Sequence, residues 1–261
     1  MRRIGFIVLV LTILSAGASF ALPLKIIMIP STDVQPYGTF HLGIEEDTTM
    51  FTDQGNGGHS NPTDFGLTTG IFNSELLLVD IGVDVKEASP SGKPFDFNAK
   101  IATTEEAFGK IGPLLAVGVY DLGPDVGVNN FNIGYGSASK VFGFLGRATI
   151  GYFYGNPQMM KAADGTNQSQ GVMFGYDRRM TELNEKLWFG IDYFSGRSVY
   201  GAVSFGIGWT FSEKASLILG YVRYNDITTI IANLPNLPGT NAPPTNGVGA
   251  NVVTWQAHFD F

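Results

Sequence analysis

The chain has 261 residues, 44% hydrophobic and only 15% charged, with 34 glycines, 20 phenylalanines, no cysteine and a formal net charge of −7. The glycine share is nearly twice the usual ~7%, and together with the aromatic content it argues against a helix bundle or coiled coil. Zero cysteines exclude a disulfide framework, thiolate metal sites, a cysteine nucleophile and a lipid anchor on an N-terminal cysteine. An acidic balance without a basic run argues against nucleic acid as a partner.

The first 21 residues read as a cleaved secretory signal peptide: Arg2 and Arg3 form a short basic start, residues 4–14 are almost wholly apolar, and Ser19, Phe20 and Ala21 supply a cleavage site before Leu22 and Pro23. The apolar core falls short of the ~20 residues a membrane helix needs. Removing Arg2 and Arg3 leaves 14 basic against 23 acidic side chains and a net charge of −9. Residues 22–36 follow as an N-terminal periplasmic segment; Ile26 and its neighbours up to Pro30 are apolar enough to pack somewhere, which leaves a lumenal plug open. Residues 37–261 are expected to form the barrel domain.

From residue 37 onward the chain alternates with period two, the mark of strands with two different faces. Phe40, Leu42 and Ile44 alternate with His41, Gly43 and Glu45; Leu77, Val79, Ile81, Val83 and Val85 alternate with Leu78, Asp80, Gly82, Asp84 and Lys86. The longest later apolar stretch, residues 111–120, is broken by Gly112, Pro113 and Gly118, so no transmembrane helix is expected. Strands are predicted near 37–45, 64–72, 75–85, 95–101, 113–120, 129–136, 143–154, 170–177, 186–194, 199–211, 215–224 and 252–261, twelve in all, with ten or fourteen as alternatives. Turns such as Asn73-Ser74 and Ser212-Glu213-Lys214 are too short for a crossover helix, so the strands pair antiparallel.

One face of these strands is apolar; the other is mostly Gly, Ser, Asn and Ala with isolated charges. That suits an all-β antiparallel transmembrane barrel, apolar side chains on lipid and small or polar ones in the lumen, since only a closed barrel pairs every backbone group of a strand in lipid. With a periplasmic N-terminus, the outer loops fall at 46–63, 86–94, 121–128, 155–169, 195–198 and 225–251, and the inner turns at 73–74, 102–112, 137–142, 178–185 and 212–214. Segment 102–112 is long for an inner turn and 195–198 short for an outer loop. Outward Phe144, Tyr152, Tyr154, Tyr176, Tyr193, Trp209 and Phe211 fall near strand ends, as two interfacial girdles would place them. The last loop, with Pro235, Pro238, Pro243 and Pro244, resists helix and sheet and reads as a semi-rigid lid or a contact surface.

At the C-terminus, Val253, Trp255, Ala257, Phe259 and Phe261 alternate with Thr254, Gln256, His258 and Asp260. This resembles the terminal strand of Gram-negative outer-membrane β-barrel proteins, whose closing aromatic and alternate apolar positions serve as the signal to the barrel-assembly machinery; Trp255, Phe259 and Phe261 carry it here. The resemblance implies a bacterial outer-membrane location, with outer-membrane lipid and the assembly machinery as partners. A narrower likeness covers residues 188–226, where Asp192-Tyr193-Phe194-Ser195-Gly196 leads into Val203-Ser204-Phe205-Gly206-Ile207-Gly208 and Gly220-Tyr221. It looks like the last hairpins of outer-membrane transporters linked to degradation of aromatic compounds.

Inward phases assign pore-lining candidates: Glu45, Asp80, Asp84, Asp96, Asp177 and Asp192 against Lys86, Lys100 and Arg147. An acidic wall would favour cations, unless these groups pair with one another and fill the interior. Arg147 stands out as a constriction or an internal salt bridge. His41 and His258 take inward phases on the first and last strands, which become neighbours on closure and could share a divalent metal, although two unrelated lumen histidines is the plainer expectation. His59 lies in a Gly/Asn-rich outer loop. With no histidine on an outward strand phase, the lipid-facing Ser-His pair of a membrane acyl hydrolase cannot be built. No catalytic residue and no cofactor are expected. The sequence therefore reads as a porin-like passive channel or transporter for small solutes with a cation leaning; the alternatives are a closed structural or adhesive barrel acting through its outer loops, and a soluble secreted sandwich.

Overall fold

The computed structural model describes residues 24–50, 58, 60–87, 89, 91–109, 112–233 and 251–261. The leader expected at 1–21, His59 and the four prolines of the last loop lie outside these residues. Twelve strands form one closed antiparallel barrel in sequence order, β1 pairing with both β2 and β12. They are β1 (Phe40–Thr48), β2 (Thr63–Asn73), β3 (Leu77–Glu87), β4 (Phe95–Thr103), β5 (Leu114–Leu122), β6 (Ile133–Val141), β7 (Arg147–Tyr154), β8 (Gln170–Arg179), β9 (Leu187–Phe194), β10 (Ala202–Ser212), β11 (Ala215–Tyr224) and β12 (Val252–Asp260). One short helix, α1 (Ile227–Asn233), follows β11.

Every expected strand is present, and the two largest shifts of a strand's start have local causes. The sixth strand begins at Ile133 because residues 129–132 are held in a turn: the Asn129 side chain accepts the Asp125 amide at 2.9 Å, and Asn132 takes a left-handed φ of 49°. The seventh begins at Arg147 because Gly143 and Gly146, with φ of 58° and 95°, bracket a single 3₁₀ turn. Alternation also breaks at bulges. Phe97 pairs with Leu122 but Ala99 with Val119, so β5 carries one extra residue there.

The faces divide as the alternation requires. On β10, Val203, Phe205, Ile207, Trp209 and Phe211 are exposed outside, while Ala202, Ser204, Gly206, Gly208 and Thr210 face in and are buried. A closed barrel with an apolar exterior is the architecture of a bacterial outer-membrane protein: the ladder satisfies every strand backbone group and leaves the apolar face for lipid. At the seam, Phe40 and Phe261 exchange backbone hydrogen bonds of 2.9 and 3.0 Å and stack their rings 5.8 Å apart.

The interior departs from a uniformly small and polar lumen. Ile133, Tyr135, Phe153, Met173, Trp188, Phe194 and Ile218, from β6, β7, β8, β9 and β11, gather with Met160 around Ile26, Ile27 and Ile29 in a buried apolar cluster. Residues 24–36, which the sequence reading labelled periplasmic while leaving a lumenal plug open, occupy the lumen: three isoleucines of their apolar run, each 0–1% exposed, find there apolar partners that remove them from water.

Candidate functional site

The lumen is built by this segment. A tight turn closes with the Ile26 amide on the Ile29 carbonyl at 2.9 Å, and it points the amides of Ile27, Met28 and Ile29 at one oxygen of Asp192 on β9, at 2.8, 2.7 and 3.1 Å. Three successive N–H groups converging on one carboxylate make an anion nest that supplies the charge with strong donors. The Gln256 side chain of β12 donates to the Ile27 carbonyl at 3.1 Å. Lys25 pairs with Glu45 of β1, and Lys100 of β4 donates to the carbonyls of Leu24 and Asp33. Asp80 of β3 accepts the Gln35 amide at 3.0 Å, and Thr32 meets Ser139 of β6 at 2.5 Å. Arg147 of β7 bridges Asp33, at 2.6 Å, and Asp177 of β8, at 2.9 Å. The segment is thus tied to strands all round the ring.

Inward glycines make room for it. An added Cβ at Gly175 on β8 would meet the Ile29 Cδ1 at 2.9 Å, and one at Gly206 on β10 would meet the Ile27 Cδ1 at 2.7 Å. Larger side chains there would compete with the plug for space.

All nine charged residues singled out from the sequence lie in the interior, in three groups. Asp192, Asp80, Lys100, Arg147 and Asp177 hold the plug or one another; Glu45 joins them through Lys25. Lys86 sits between Asp96, at 2.7 Å, and Asp121, at 2.8 Å. Asp84 accepts the Asn98 amide at 2.8 Å and forms no ion pair among the described residues. Arg147 is therefore an internal salt bridge that ties wall to plug.

Beside the plug lies a cavity of about 500 Å³. Its acidic wall comes from β1, β2 and β3 through Asp47, Asp64 and Asp84; rings from β5, β6 and the β9–β10 loop, Tyr120, Tyr135 and Tyr200, line it as well. The rings form a cluster, with Tyr120 at 5.8 Å from Tyr135 and 6.3 Å from Tyr200, and Phe131 at 5.1 Å from Tyr200. The Tyr200 hydroxyl donates to Asp121 at 2.5 Å.

Period two could not find several of these groups. Asp121 has a φ of 51° at the β5 bulge, so Tyr120 and Asp121 both turn inward although they are adjacent. Asp64 keeps the inward phase of β2, but the bulge between Gly70 and Phe72 blurs that strand's pattern. Nothing in local sequence marks Lys25, Asp33 and Gln35 as lumenal.

His41 and His258 do meet. The His41 Nε2 lies 3.2 Å from the His258 Nδ1, and the His41 Nδ1 lies 2.7 Å from Asp260. With both rings neutral, the order Asp260, His41, His258 makes each Nδ1 a donor and leaves the His258 Nε2 an acceptor. Among the described residues, no group of three or more His, Asp or Glu side chains is arranged to hold a metal ion.

Outside the membrane, Asp164 of the β7–β8 loop accepts the Thr166 hydroxyl at 2.6 Å, the Thr166 amide at 3.0 Å and Arg197 of the β9–β10 loop at 2.9 Å. The hydroxyl, then the amide, then the guanidinium hold its carboxyl down to about 2.

No protein-family model matches the chain, and no curated protein matches it. Solved structures similar to it include the KdgM porin, with a TM-score of 0.46 and 6% identity over 85% of this chain and 99% of that one. The NanC porin scores 0.44 with 9% identity over 84% of this chain and 98% of that one. An outer membrane channel from Pseudomonas putida F1 scores 0.44 with 13% identity over 88% and 98%. The likeness is one of barrel architecture.

Proposed function

We propose that the protein is a passive outer-membrane channel for small hydrophilic or amphiphilic solutes, with a cation-leaning interior. The observation that carries this is the lumenal cavity of about 500 Å³, whose Asp47, Asp64 and Asp84 form no ion pair among the described residues. Carboxylates left unneutralised inside a low-dielectric wall attract cations and repel anions. The likeness of residues 188–226 to transporters linked to aromatic-compound degradation fits the amphiphilic end of this solute range. Trp255, Phe259 and Phe261 would present the terminal strand to the assembly machinery, and cleavage after Ala21 would release the leader.

The plug favours a second reading, a closed barrel that acts through its outer loops, because residues 24–36 are bonded to so many strands. Single-channel conductance of the detergent-purified protein in a planar bilayer under a salt gradient separates the two. Steady openings with a cation-side reversal potential support the channel. An inserted, heat-modifiable but silent barrel overturns it in favour of the closed form.

A further inference from the structure

We infer that the lumenal cavity is a binding site for an organic cation, an ammonium group carried on an aromatic or apolar body; the inference deepens the channel reading and rests on it for the solute's route.

Three observations converge on that chemistry. The first is charge: Asp64 and Asp84 share the cavity wall, and neither forms an ion pair among the described residues, whereas Glu45 and Asp121 in the same wall are taken by Lys25 and Lys86. The second is the ring cluster of Tyr120, Tyr135, Tyr200 and Phe131, which offers faces to an apolar body and to a cation. The third is independent of both. His258 and Gln256, 2% and 1% exposed, line the same cavity, and each keeps a polar atom without a hydrogen-bond partner, the His258 Nε2 and the Gln256 Oε1. Both are acceptors: the Gln256 amide nitrogen is spent on the Ile27 carbonyl, and, with both rings neutral and His41 donating to Asp260, the His258 proton is assigned to Nδ1.

A wall with spare acceptors and spare negative charge is completed by N–H donors on a positive centre. A bare divalent ion fits less well, because no suitable group of three or more ligands exists among the described residues. The volume suits a small organic molecule. An anion would meet a wall in which carboxylates outnumber Lys25, Lys86 and Lys100, and a neutral solute would leave Asp64 and Asp84 without an ionic partner.

The test is titration calorimetry of the detergent-purified full chain with phenethylammonium, ethylammonium, 2-phenylethanol, phenylacetate and magnesium chloride. Phenethylammonium is expected to bind about tenfold tighter than each of the others, and Asp64→Asn with Asp84→Asn to remove about that tenfold while heat-modifiability is retained. Equal binding of phenethylammonium and phenylacetate, equal binding of phenethylammonium and ethylammonium, or tighter binding of magnesium overturns the inference, and the wild-type series decides this even if the variants misfold. Conductance measured on the same preparation separates the two proposals. A silent barrel that binds phenethylammonium keeps the site and sinks the channel; a conducting barrel that does not discriminate among the probes keeps the channel and sinks the site.

Discussion

The Ile27 amide donates to the Asp192 carboxylate at 2.8 Å, although the two residues lie 165 positions apart. The same oxygen also takes the amides of Met28 and Ile29, so one inward side chain of β9 anchors the turn that fills the lumen.

Asp192→Ala should free that turn. Three charge-assisted bonds are lost at once, each contributing about 1.5–3 kcal/mol where a charged group is involved. Hydrogen exchange of the Ile27, Met28 and Ile29 amides should rise from protected to fast while the strand amides stay protected. Unchanged protection would show that the isoleucine packing alone holds the plug.

Gly175→Val should displace the plug by steric means. The added side chain enters the space of the Ile26 and Ile29 ends, which are flexible, rather than that of the strand backbone. A barrel that still assembles, with larger conductance than wild type, is the expected result; an unaltered current would argue that the plug does not limit passage.

Arg147→Ala should cost more than Asp33→Ala. The guanidinium serves both Asp33 and Asp177, so its removal strands two carboxylates, a loss of about 3–5 kcal/mol. Urea unfolding of the two single variants and the double in micelles gives the coupling; additive effects would mean that the contact is energetically silent.

Asp84→Asn should weaken cation preference more than Asp80→Asn. Both line the cavity, but Asp80 answers the Gln35 amide of the plug, whereas Asp84 is met by the neutral Asn98 amide and forms no ion pair among the described residues. Reversal potentials under a salt gradient read this directly, and an equal effect of the two variants would contradict the assignment of roles.

The Asp164 clasp should survive moderate acid. Its carboxyl is held down to about 2 from an ordinary value of 3.8, so the stability it gives the loop is complete above 3.8 and lost as pH falls through 2. Carbon NMR of the Asp164 carboxyl should titrate near the lower value and move up in Arg197→Ala. A midpoint already at 3.8 in the wild type would remove the clasp.

The twelve strands were legible because each has an apolar side for lipid and a different side for the lumen, a constraint that acts on every second residue. The inward phase of Asp80, Lys100, Arg147 and Asp192 followed from the same rule. Their partners did not, since alternation says which way a side chain points and nothing of what comes to meet it. Likewise the meeting of His41 with His258 was readable from strand neighbourhood on closure, but the Asp260 contact and the orientation of the rings were not.

The sequence by itself pointed to an antiparallel barrel of about twelve strands, with its two faces and the charges turned inward, because those are local and periodic properties; the structure settled the number at twelve and closed the ring. Only the tertiary structure decided what the lumen holds. Residues 24–36 have no period to announce them, and their place depends on contacts with strands up to 229 positions away, each too distant along the chain for a local pattern to encode. It is that long-range packing, three isoleucines against β6–β11 and a carboxylate wall left beside β1–β3, that turns a generic barrel into one with a plug and a cavity of particular chemistry.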